Sequence, residues 1–108
     1  MKSTSYQKYL IDSLKDSQEA EAYLNAAFEE GDVQVFLMAL QNVIQAQGGV
    51  SQVAAKTKKS RTSLYKALSA TGNPYLASMA EILKSIGMRL KIVLDTAQIS
   101  PRKTRRVV

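Results

Sequence analysis

Five cations fall between residues 56 and 66: Lys56, Lys58, Lys59, Arg61 and Lys66. No acidic side chain follows them before Glu81. Each lysine or arginine placed beside a phosphate releases condensed counterions, so such a cluster binds polyanions. Arginine adds a planar fork that pairs bidentately with the major-groove edge of guanine. Interleaved with these cations are Ser51, Gln52, Ser60, Thr62, Ser63 and Tyr65, whose hydroxyls and amide suit phosphate oxygens and base edges. DNA is the leading ligand for the stretch from Val50 to Asn73.

Other chemistries are poorly served. The 108 residues contain no cysteine and no histidine, which leaves no disulfide framework, no thiolate zinc site and no imidazole base. Carboxylates, lysines and tyrosines remain, and no convergent constellation of them is legible. The expectation is a protein that is not an enzyme and needs no metal or cofactor.

The elements that must position the cations can be read from spacing. Ser51 reads as a cap for a helix whose inward residues are Val53 and Ala54, Ala54 being small where a second helix crosses. Ser60 caps the next helix, with Leu64, Ala67 and Leu68 as its apolar stripe. This second helix is the candidate recognition helix, and the pair over residues 51–70 reads as a helix-turn-helix. Arg61, in its first turn, is the first choice for a base contact, with phosphate binding as the alternative. Thr62 and Ser63 read either as base readers or as helix caps. Tyr65 offers its hydroxyl to a phosphate or packs on the core rim, and Lys66 reads as a backbone contact. Thr71, Gly72, Asn73 and Pro74 form a turn.

One domain is expected over residues 1–96, since 108 residues and 45% hydrophobic content suit a single core. Tyr9, Leu10 and Leu14 suggest a short helix ending near Asp16. Ser17, followed by Glu19 and Glu21, marks a second start, with Tyr23, Leu24, Ala27 and Phe28 as its apolar face and Gly31 at its end. Asp32 caps an uncharged helix to Gln47, in which Val33, Phe36, Leu37, Leu40, Val43 and Ile44 recur at helical spacing. This helix is expected to be the most buried one. Gly48 and Gly49 close it. Leu76, Met79, Ala80, Ile82, Leu83 and Ile86 give a further helix that Gly87 ends.

After Gly87 the period changes to two. Met88, Leu90, Ile92 and Leu94 alternate with Arg89, Lys91 and Val93, the pattern of a strand with one buried face. A lone strand leaves its backbone groups unpaired, so a partner strand is expected from a second copy across a twofold axis. Residues 97–108 read as a flexible basic tail carrying Arg102, Lys103, Arg105 and Arg106.

The charge is polarised. The formal net charge is +6, but residues 1–33 hold seven acids and three bases, a sum of −4. Glu19, Glu21, Glu29, Glu30 and Asp32 are therefore candidates for meeting a basic protein partner. The sequence opens without an apolar core of signal-peptide length, and no run approaches the ~18 apolar residues of a membrane span. A soluble, cytoplasmic protein without a membrane partner is expected.

The stretch from Tyr23 to Ile92 resembles the helix-turn-helix antidote proteins of chromosomal and prophage addiction modules, the HigA-like antitoxins paired with RelE/ParE-type toxins. The match lies in Tyr23-Leu24-Asn25-Ala26-Ala27, Glu30-Gly31-Asp32, Gly48-Gly49-Val50, Ser63 to Ser69 and Gly72-Asn73-Pro74, and continues through Leu83 to Leu90. The resemblance implies a mainly α, five-helix, lambda-repressor-like domain with one C-terminal strand, which binds its toxin and, as a homodimer on operator DNA, represses its own operon. Two positions depart from the pattern, because Lys58 and Lys59 stand where glycine and an apolar residue are common in the turn. A lysine in a left-handed conformation costs about 1 kcal/mol relative to glycine. Two rival readings remain: a stand-alone phage or plasmid transcriptional repressor, and a protein-interaction module without specific DNA binding.

Overall fold

The computed structural model describes residues 4–96. Among these residues the chain is helical, with α1 (Thr4–Ser13), α2 (Ser17–Glu29), α3 (Val33–Ala46), α4 (Val50–Thr57), α5 (Arg61–Ala67) and α6 (Leu76–Ser85). The helices number six among the described residues, one more than the five expected of the domain; each of the six follows an apolar spacing read from the sequence, the short N-terminal one included. Leu10 is half-buried and Leu14, just past the end of α1, is buried, so both reach the common core.

Asp16 does not end α1; it starts α2. Its side chain accepts from the backbone N–H groups of Gln18 at 2.8 Å and Glu19 at 3.2 Å, so the cap lies one residue before Ser17. Such a cap contributes about 1 kcal/mol. Gly31, with φ +81°, supplies the left-handed residue after α2. Asp32 caps α3 as its position predicts, accepting from Gln34 N–H at 2.8 Å.

The core forms around α3, which buries Phe36, Leu37, Ala39, Leu40, Val43 and Ile44. Helix α2 packs along it as an antiparallel neighbour, and α1 and α4 lie against it as well. Ile82 and Leu83 bring α6 to the same core by way of α4, while Leu64 and Leu68 anchor α5. No charged or polar residue is buried among the described residues. The expected apolar faces are trimmed at their edges, since Phe28, Val33 and Leu76 are mostly exposed.

Two glutamine amides of α3 and that of Gln47, its C-cap, hold neighbouring parts of the chain. Gln47 Nε2 donates to Leu14 O at 2.8 Å beyond α1, Gln41 Nε2 donates to Leu68 O at the end of α5, and Gln34 Nε2 donates to Gly72 O at 3.5 Å. The first two satisfy carbonyls that helix ends leave open, and the third ties down the loop after α5. Gly72 is fixed for another reason, because a Cβ there would overlap the Ala67 carbonyl.

Helix α6 closes with Gly87 at φ +82°, and Met88 N–H returns to Leu83 O at 2.9 Å. Met88 packs partly against the core. Beyond it Leu90, Ile92, Val93 and Leu94 are exposed, and no strand is assigned among the described residues. A ladder needs a second strand, and no described segment of the chain pairs with residues 88–94. The basic residues of the tail lie outside the described residues.

Candidate nucleic-acid interface

Helices α4 and α5 pack on each other and are joined by three residues, Lys58, Lys59 and Ser60. The first of these turns the chain. Lys58 has φ 62° and ψ 27°, the left-handed region, and is the one non-glycine residue with positive φ among those described. Its N–H still closes α4 on Ala54 O at 2.9 Å. Ser60 then caps α5, its hydroxyl accepting from Ser63 N–H at 3.0 Å. This fixes where Arg61 begins the helix.

Ser51 does not cap α4. That position belongs to Gly49, at φ +90°, which provides no side-chain hydrogen bond and whose sharp turn links α3 to α4. Ser51 lies inside the first turn, where its hydroxyl accepts from Arg61 Nη1 at 3.1 Å. The two helix starts are thereby tied together at the surface.

Along α5 the ~100° step of a helix sets Thr62 and Lys66 opposite the buried Leu64 and Leu68, with Tyr65 and Ser63 to either side. All four are exposed, as are Ser51, Gln52, Lys58, Ser60 and Arg61. The open position of Tyr65, 61% exposed, removes the alternative in which it packs on the core rim.

Two of the five cations face elsewhere. Lys59 is half-buried and its Nζ meets Glu81 Oε1 of α6 at 3.0 Å. Lys56 Nζ reaches Ser85 O at 3.4 Å, near the end of α6. Lys58, Arg61 and Lys66 are left as the outward charges of the pair.

Sequence reasoning missed a shallow groove of about 400 Å3 beside α5. Lys59, Ser63, Lys66, Asn73, Tyr75 and Ser78 line it, bringing the start of α6 next to α5. The turn signal at Gly72-Asn73-Pro74 located the bend but not its neighbour. The pairing of Lys59 with Glu81, 22 positions apart, had no local signal at all.

The acidic candidates are exposed but are not one cluster. Glu19 and Glu21 lie ~160° apart around α2. Glu29, Glu30 and Asp32 gather at the turn between α2 and α3, where the Asp32 carboxylate also caps α3.

Among the described residues no three metal-ligating side chains converge, and no helix is long and apolar enough to cross a membrane.

The family model described as "Probable addiction module antidote protein" matches residues 5–94. An uncharacterized protein of Haemophilus influenzae (strain ATCC 51907 / DSM 11121 / KW20 / Rd) is 33% identical over 83 residues, covering 77% of this chain and 84% of the relative. No solved structure matches. The family match reaches into all six helices and the relative covers more than two-thirds of both chains, so the chain belongs to the family of probable addiction module antidote proteins.

Proposed function

We propose that this antidote is a HigA-like antitoxin that binds its operator through a helix-turn-helix made by α4 and α5. As a homodimer it represses its own operon, and by direct contact it neutralises a RelE/ParE-type toxin in the cytoplasm. Membership of an antidote family implies a toxin partner.

The observation that carries the DNA reading is the surface of α5. Arg61, Thr62, Ser63, Tyr65 and Lys66 are all exposed on a capped helix, and no acidic residue occurs from Val33 to Ala80 to repel phosphate. Arg61 is the base reader, steadied by Ser51. Lys58 and Lys66 are phosphate contacts, with Gln52 and Ser60 beside them.

Dimerisation runs through the exposed segment Met88, Leu90, Ile92 and Leu94, pairing antiparallel with a second copy. Pairing would cover side chains that are open to solvent in the single chain, Ile92 being 97% exposed. A twofold dimer requires a palindromic operator with half-site centres about one helical turn apart, or a multiple of it.

A mobility shift on the DNA directly upstream of the gene, titrated with salt and with nonspecific competitor, tests this. The expected result is a shift that resists competitor and weakens steeply with salt. A band that competitor removes at once would refute operator recognition.

A further inference from the structure

We propose that the tip of the α2–α3 hairpin, residues 28–35, is the surface on which this chain docks its toxin, a partner bearing lysine- or arginine-rich surface around an apolar centre. The proposal rests on the antidote reading above and adds the place and chemistry of contact.

Three apolar side chains stand open within these eight residues: Phe28 at 63%, Val33 at 55% and Val35 at 38% exposure. Phe28 is not loose. Its ring meets Phe36 edge-on, with centroids 5.4 Å apart and planes at 76°. An exposed aromatic already held in place gives up little freedom on binding, which is the character of an interface anchor.

Charge selects the partner. Glu29, Glu30 and Asp32 lie between these apolar residues in sequence. The ion pairs Lys15–Asp12 and Lys59–Glu81 both lie away from the tip. From Asp16 to Ala55 there is no lysine or arginine, against six acids. An anionic ligand such as nucleic acid or an acidic lipid surface is repelled here, whereas a basic protein surface is attracted and oriented. The backbone carrying the acids is fixed by the left-handed Gly31 and by the Asp32 cap. A second open apolar segment, Leu90 to Leu94, is interleaved with Lys91 and preceded by Arg89, which oppose a basic partner.

The test produces the full chain together with the product of the small reading frame adjoining its gene, and measures their affinity by titration calorimetry. Wild type should bind. Phe28→Ala should weaken binding about tenfold or more, and Glu29→Lys/Glu30→Lys at least as much, with a reduced dependence on salt. Asp12→Lys, an exposed position on α1, makes the same kind of charge change away from the tip and should stay within about twofold of wild type. Circular dichroism and melting verify the fold, and Val33→Ser serves if Phe28→Ala unfolds. Wild-type affinity in both Phe28→Ala and Glu29→Lys/Glu30→Lys overturns the docking site and leaves the antidote reading standing. Failure of the wild-type chain to bind removes that reading itself. Loss of self-association in Phe28→Ala assigns the tip to a second copy and overturns the proposal.

Discussion

Arg61 Nη1 donates to Ser51 Oγ at 3.1 Å, joining the first turns of two helices that touch elsewhere through apolar side chains. The contact aims a guanidinium before any ligand arrives. Arg61→Ala should therefore cost about 1–3 kcal/mol of operator affinity and relax preference at one base pair. Ser51→Ala removes the tether alone and should cost under about 1 kcal/mol. Mobility shifts on a panel of single-base operator variants read both numbers, and an unchanged preference in Arg61→Ala would remove it as the base reader.

Lys58 occupies a left-handed position that glycine adopts without strain. Lys58→Gly is expected to stabilise the fold by up to about 1 kcal/mol, raising the melting temperature by several degrees for a domain of this size. The same change removes one outward charge, so operator affinity should fall on all sequences alike. Stability and binding then move in opposite directions in one variant, readable by thermal melting and mobility shift.

Glu81 holds Lys59 away from the outward face at 3.0 Å. Lys59 is half-buried while Glu81 is exposed, and a pair with one solvated partner contributes under about 1 kcal/mol to stability. Glu81→Gln is expected to leave the melting temperature nearly unchanged while tightening DNA binding and steepening its salt dependence, by up to about 0.9 in log–log slope for one new phosphate contact. A slope identical to wild type would show that Lys59 does not reach a phosphate when freed.

Gly72 lies against the Ala67 carbonyl, and backbone cannot step aside as a flexible side chain does. Gly72→Ala should destabilise by roughly 1–3 kcal/mol, read in a denaturant melt, with Gly49 as a contrast because a Cβ there meets nothing within 4 Å. Gly49 carries positive φ, so Gly49→Ala costs through backbone strain instead.

Leu40 is fully buried on α3. Leu40→Ala should cost 2–5 kcal/mol, by analogy with large-to-small changes in other cores. A drop of this size in the melt, against a small one for the exposed Met38→Ala, verifies which face of α3 is inward.

Much of the fold was legible where local rules act alone. Asp32 and Ser60 cap the helices their positions announce, and the uncharged run from Val33 to Gln47 forms the buried centre. One cap was misplaced by two residues. Ser17 begins α2 as its position announces, with the Asp16 carboxylate before it reaching two N–H groups, whereas Gly49 displaces Ser51 because the chain must turn through positive φ there. Within the candidate interface, exposure of Thr62 and Lys66 followed from helical spacing, whereas Arg61, three and seven residues before the buried Leu64 and Leu68, is open because it is the first residue of α5. The partners of Lys59 and Lys56 did not, since both sit on α6, far along the chain and near in space only after folding. The period-two pattern at Met88 to Leu94 announces a strand, and no described segment of the chain supplies the second strand that a ladder needs.

The glutamines of α3 and its C-cap grip the ends of α1 and α5 and the loop after α5 with uncharged amides. An amide neither titrates nor feels ionic strength as a charge does. The scaffold and the surfaces it displays thus answer to different variables: counterions thin out the acidic and basic contacts while the frame keeps its shape. A salt series on this protein should accordingly weaken its exposed charge contacts before it loosens these amide ties.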